Sequence, residues 1–196
     1  MKRFIAVLLC AVITLGVFSS CSSLHGEEDK GAIVPVFLTS EVYDFDPQKD
    51  YTDNSAMKYY SLIYEGLTKI GENGKWEKAL MKSYTTTQEY GEYILRITLN
   101  NTSWSDGRRV QAQDIVYSWK RALDPSFGCS AASMLYDIKN ARDAKMGNCS
   151  IDDVGISSID TYVLEIRFDY EIDYDAFFYT LASPALVPLR EDVVAN

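Results

Sequence analysis

The chain has 196 residues, 47% of them hydrophobic and 13% aromatic, with 28 acidic against 19 basic residues and a net charge of −9. That balance argues against nucleic acid, whose phosphates demand a basic surface, and against attachment to anionic lipid by charge alone. The length suffices for a core of domain size.

In chain order, Lys2 and Arg3 precede an apolar run from Phe4 to Phe18, short for a membrane span but right for a signal-peptide core. The run ends in Phe18-Ser19-Ser20-Cys21-Ser22, which resembles a bacterial lipobox whose cysteine is acylated and becomes the first mature residue. Phe18 stands where Leu is commoner, and an uncleaved signal anchor is the other reading. Two or three acyl chains hold a protein on a bilayer where one binds only marginally. Residues 1–20 therefore read as a lipoprotein signal peptide and 21–31 as a polar tether. The tether carries Glu27, Glu28, Asp29 and the lone His25, which reads as solvated. Without residues 1–20, 17 basic residues face 28 acidic ones, a net −11.

The folded region follows from residue 32. Ile33 to Leu38 is a short, continuously apolar run, as expected of a strand buried on both faces. Asn54 or Ser55 can cap a helix running to Glu65, with Tyr60, Ile63, Tyr64 and Leu67 on one side and Gly66 as its stop. Ser83 to Thr87 and Tyr93 to Asn100 form a hairpin around Gly91. In its second strand Tyr93, Leu95, Ile97 and Leu99 share one face, Ile94, Arg96 and Thr98 the other. Trp104-Ser105-Asp106-Gly107 is a strand end and a tight turn, with Gly107 supplying positive φ. Ile115, Trp119, Ala122 and Leu123 then recur at helical spacing until Asp124-Pro125. Tyr162, Leu164, Ile166 and Phe168 alternate as a strand, and Asp173 to Leu181 is helical up to Ser183-Pro184. This mixture is an α/β class.

Of the four cysteines, Cys10 leaves with the signal core and Cys21 is the lipid acceptor. Cys129 and Cys149 are left as an even pair, and in an oxidising compartment a disulfide is favoured over two free thiols. Closing that loop stabilises by about 3 kcal/mol in the chain-entropy model. The folded part lacks histidine, a Gly-x-Ser-x-Gly elbow and a phosphate-binding glycine loop. No catalytic residue, metal site or cofactor is therefore expected. The 14 tyrosines suit a large core or a cleft that grips varied ligands.

Several segments together resemble family 5 extracellular solute-binding proteins, the oligopeptide- and dipeptide-binding components of bacterial ABC importers. They are Asp46-Pro47-Gln48-Lys49, Leu62 to Leu67, Gly71 to Trp76, the stretch Trp104 to Pro125, Leu135 to Ala141 and Asp152 to Ile156, in the family's order. The resemblance implies a two-lobed, type II periplasmic-binding-protein-like fold that closes on a peptide, of which residues 32–196 are the N-terminal portion with a strand-rich subdomain. It implies an oligopeptide ligand, an ABC permease complex as membrane partner and an extracytoplasmic location; relatives of the family also carry dipeptides, nickel chelates or haem. It places Asp50 to Asn54 along the cleft, with Tyr51, Asp53 and Asn54 as candidate peptide contacts; the other reading is a polar loop whose Asn54 caps the next helix. Trp104 and Trp119 read as core residues, and Asp106 as the holder of its turn.

Three positions depart from the family pattern. Gln111 replaces a capping threonine, Lys78 replaces a proline, and Ser130 and Ala131 stand where a Pro-Tyr reaches the ligand. The family is also much longer, so the expectation is an incomplete cleft, completed by a second chain supplying the missing lobe, or a truncated envelope lipoprotein serving as a docking module or non-binding remnant.

Overall fold

The computed structural model describes residues 35–42, 44–49 and 53–194. Contacts divide the chain into Met1–Phe37 and Leu38–Asn196. Of the first unit only 35–37 are described. The predicted signal peptide, Cys21 and the tether lie outside the described residues.

In the second unit, helix α1 (Asn54–Ile63) is followed by a small antiparallel pair, β1 (Thr68–Ile70) and β2 (Trp76–Lys78). A hairpin of β3 (Met81–Glu89) and β4 (Glu92–Leu99) comes next, then α2 (Ala112–Leu123), a 3-10 turn at Ser130–Leu135 and α3 (Ala141–Lys145). Strands β5 (Ile156–Asp160) and β6 (Val163–Phe168) precede α4 (Tyr174–Thr180), a 3-10 turn at Pro184–Leu186 and α5 (Glu191–Val194). β3, β4, β6 and β5 form one antiparallel sheet in that order.

The alternation read in β4 sets the two faces of this sheet. Leu95, Ile97, Leu164, Ile166 and Phe168 turn inward onto Ile115, Trp119 and Leu123 of α2, making the main core. The other face carries a charge ladder: Arg96 donates to Glu165 at 2.7 Å, Arg167 donates to Glu165 at 2.7 Å and to Glu92 at 2.8 Å, and Lys139 pairs with Glu92. Burial pushes the Glu165 carboxyl up, but the hydrogen bonds from Arg96 and Arg167 outweigh it and hold the group below its ordinary range. The hairpin closes on two residues, Tyr90 and Gly91, both at positive φ (53° and 87°), the conformation whose twist matches the strands.

α2 agrees with its periodicity, and Gly107 has φ 87°. Gln111 stands at its N-cap, and Asp114 makes good the missing threonine: its Oδ2 accepts the Gln111 N–H at 2.9 Å and the Trp104 indole N–H at 3.1 Å. At the other end Lys145 donates to the carbonyls of Ala122, Asp124 and Phe127, occupying acceptors that a helix C-terminus leaves open.

Three expectations are corrected. The apolar run is not a buried strand where it is described: 35–38 pairs with no strand among the described residues, and Val36 and Phe37 are exposed, while Ile33 and Val34 lie outside them. A short apolar run needs a partner ladder to become a strand, and composition cannot supply one. α1 is capped by Asp53, not Asn54 or Ser55, and ends at Ile63. Gly66 is no helix stop. A Cβ there would meet the carbonyl oxygens of Leu181 and Thr68 at 3.0 Å, so glycine admits the chain between α4 and β1. Gly66→Ala is therefore expected to cost about 1–3 kcal/mol, read as a lowered urea midpoint with unchanged slope. A midpoint equal to the parent's would show that these backbones yield.

Candidate functional site

The candidate contacts sit where an irregular segment crosses the start of α1. Buried Ser55 accepts the backbone N–H groups of Thr39 at 2.9 Å and Ser40 at 3.0 Å, and its hydroxyl lies 2.9 Å from that of Thr39. Asp53 accepts the Ala56 N–H at 2.8 Å and the Ser40 hydroxyl at 3.1 Å. These donors, the Ala56 N–H first, hold its carboxyl below the usual range. Asp53 thus caps the helix while staying exposed, and an ionised carboxylate has lone pairs left for a further donor. Asn54 is the exposed first residue of the helix. Tyr51 lies outside the described residues. The part played by Thr39 and Ser40 carries no signal in the sequence, since serine and threonine are common in any loop.

The turn Asp46-Pro47-Gln48 is buried and locked to α2. Arg121 donates to both carboxylate oxygens of Asp46, at 3.2 and 2.6 Å, and to Gln48 Oε1 at 2.7 Å. Gln48 Nε2 donates to the Ser118 carbonyl at 2.8 Å, and Ser118 Oγ to the Val187 carbonyl at 2.6 Å. The Asp46–Gln48 turn and α2, far apart in sequence, are one polar cluster in space.

Two open clefts flank the end of α1. One of about 570 Å³ lies between Ile63–Glu65, Trp104 and Leu189–Arg190; the other, about 600 Å³, between Leu62–Glu65, Ile70 and Val187. Trp119 is fully buried as expected, its indole N–H donating to the Leu186 carbonyl at 2.9 Å, whereas Trp104 is half-buried and forms a cleft wall. Ala131 packs with Ala122, Cys129 and Ala185, away from either cleft.

One rim of the first cleft is ionic. Arg190 pairs with Asp106 and Asp192, and Arg108 reaches Asp192 at 3.0 Å. Asp106 also holds its turn, accepting the Arg108 N–H at 3.0 Å. The Arg190 guanidinium lowers the Asp192 carboxyl to about 2. A depressed carboxylate stabilises above its unfolded pKa, about 3.9, and loses that contribution as pH falls through its folded value. The α5 segment should therefore stay docked at pH 4 and release toward pH 2, read as rising amide exchange at Val193 and Val194. Release already complete at pH 4 would count against this pairing.

The expected disulfide is absent. Cys129 and Cys149 are separate thiols, Cys129 buried among Ala122, Ala131 and Ala185, and Cys149 packed against the main core beyond α3, its Sγ 3.7 Å from the Asn140 carbonyl. Desolvation pushes both thiols up, and at half-buried Cys149 the carboxylates of Asp153 and Asp143 add to it. Among the described residues no cluster of His, Cys, Asp and Glu could hold a metal, and no helix is long and apolar enough to cross a membrane.

Residues 75–194 match the bacterial extracellular solute-binding proteins, family 5 (middle region). The chain belongs to this family. The Dipeptide-binding protein DppE of Bacillus subtilis is 30% identical over 154 residues, 79% of this chain and 28% of its own length. The Oligopeptide-binding protein OppA of the same organism is 29% identical over 98% of this chain and 36% of its own. Among solved structures, the Escherichia coli murein tripeptide binding protein MppA superposes with a TM-score of 0.69 and 28% identity over 78% of this chain and 29% of that one. The chain thus has part of the type II periplasmic-binding-protein fold and spans about a third of the length of these relatives. The family is one of binding proteins rather than enzymes.

Proposed function

We propose that this chain is the N-terminal portion of a lipid-anchored solute-binding component of an ABC importer that captures oligopeptides. The observation that carries the reading is the likeness to relatives named for dipeptide and oligopeptide binding, which for the OppA relative runs over 98% of this chain. Tyr51, Asp53 and Asn54 are the proposed peptide contacts, with Asp53 free to take a ligand N–H or ammonium beside its cap. Residues 1–20 direct export, Cys21 carries the acyl anchor, 21–31 is the tether, and 32–196 supplies one part of a lobe. A second lobe, supplied by a second chain, closes over the peptide and delivers it to a permease.

Titration calorimetry of the chain with a pool of di- to pentapeptides tests capture. Saturable heat that Asp53→Ala weakens supports the reading, and a folded chain that yields no heat confines capture to an assembly with the second lobe. Cys21→Ser is expected to move the protein from the membrane to the soluble fraction. Unchanged membrane retention would replace the acyl anchor by an uncleaved signal helix.

A further inference from the structure

The four-stranded sheet treats its two edges differently. β5 has five residues, a register shift between Ser158 and Asp160, and α2 packed against it. β3 has nine, exposed at every position from Lys82 to Gln88 and uncharged from Ser83 to Gln88, with neither proline nor glycine. Its one register shift lies at its start, between Met81 and Ser83. Proteins usually blunt such an edge with charge, proline or a bulge, because its outward N–H and C=O groups template another strand. Thr85, Thr86, Thr87 and Tyr84 have high strand propensity, so this edge is built to pair.

We propose that β3 pairs antiparallel with β3 of a second copy of this chain, joining two four-stranded sheets into one. Charge selects this occupant and this direction. Lys82 opens the uncharged run and Glu89 closes it. Antiparallel pairing sets each Lys82 near Glu89 of the other copy, whereas parallel pairing sets like charges side by side, which is destabilising. A two-fold axis through an antiparallel pair stands perpendicular to the sheet and passes through a residue position, here Thr85 or Thr86. Tyr90, fully exposed at the turn beyond Glu89, then lies over the start of the other copy's strand. The pairing uses the sheet alone and is independent of any peptide ligand.

The test is oxidative cross-linking of the full chain in mild detergent, with Thr85→Cys, Thr86→Cys, Ser83→Cys and Gln88→Cys made singly and the unsubstituted chain as background. Thr85→Cys or Thr86→Cys is expected to give covalent dimer well above background, while Ser83→Cys and Gln88→Cys, displaced from the axis, do not. In the cross-linking background Lys82→Glu lowers the yield about tenfold, and adding Glu89→Lys restores it. Restoration is not expected from a local structural role, since Glu89→Lys also gives up the 3.4 Å contact of Glu89 with Arg96. Background-level dimer at both central positions, equal yields at all four, or failure of the charge swap to restore dimer while circular dichroism shows native fold overturns the proposal. So does an edge that stays monomeric but takes up an added extended threonine-rich peptide.

Discussion

Trp119→Ala is expected to destabilise the fold by about 3–5 kcal/mol. The indole is fully buried in the middle of α2, at the meeting of that helix with the inward face of the sheet, and its N–H is the donor to the Leu186 carbonyl. Truncation removes a large apolar surface and leaves a cavity, and it also leaves that carbonyl without its indole donor. Trp119→Phe keeps most of the volume and loses only the donor, at about 1–3 kcal/mol. Domains of this size hold about 5–15 kcal/mol in total, so the alanine variant sits close to unfolding and the phenylalanine variant does not. Urea unfolding followed by far-ultraviolet dichroism separates them. A loss below about 1 kcal/mol for Trp119→Ala would mean that α2 is not the spine of the core.

The two substitutions also mark the boundary of what sequence shows. Burial of Trp119 was legible from spacing alone, because a helix face repeats every three to four residues and Ile115, Ala122 and Leu123 stand beside it. The same holds for β4, whose period of two sorts Leu95 and Ile97 from Arg96 and Thr98 without reference to its partner strands. The bond to Leu186 was not legible, since it joins residues that approach only when the chain has folded. Residues 35–38 of the apolar run depart from expectation for a related reason: an apolar run says that a segment seeks burial, not what will bury it. Cys129 and Cys149 are an even pair by count, yet they are separate thiols, one buried and one half-buried. Asp53, placed along the cleft by the resemblance, has a second use that the sequence reading gave to its neighbours, since its side chain is the cap of α1. A carboxylate one residue before a helix has that local use before any other.

Arg121→Met should cost a comparable amount, about 3–5 kcal/mol, by a different route. The side chains of Arg121 and Asp46 are 15% and 8% exposed, and removing the cation strands a carboxylate that water barely reaches. Lys49, 3.8 Å from Asp46 Oδ2 and itself half in solvent, replaces little of that contact. The guanidinium also stacks 3.9 Å from the Phe127 ring centre, so the fork, the charge and the stack are lost together. Arg121→Lys keeps the charge without the bidentate geometry and should recover less than half. Replacing both partners, Arg121→Met with Asp46→Leu, should recover only part of the stability: no buried charge is left unanswered, but the buried Gln48 loses the acceptor of its N–H and the donor to its Oε1. Function separates the two rescues. The Asp46–Lys49 turn lies shortly before Asp53 in the sequence, so a chain made stable by the apolar pair but unable to hold that turn through Gln48 should still lose peptide affinity. Stability and affinity rising together in the double variant would instead show that Arg121 serves the fold alone.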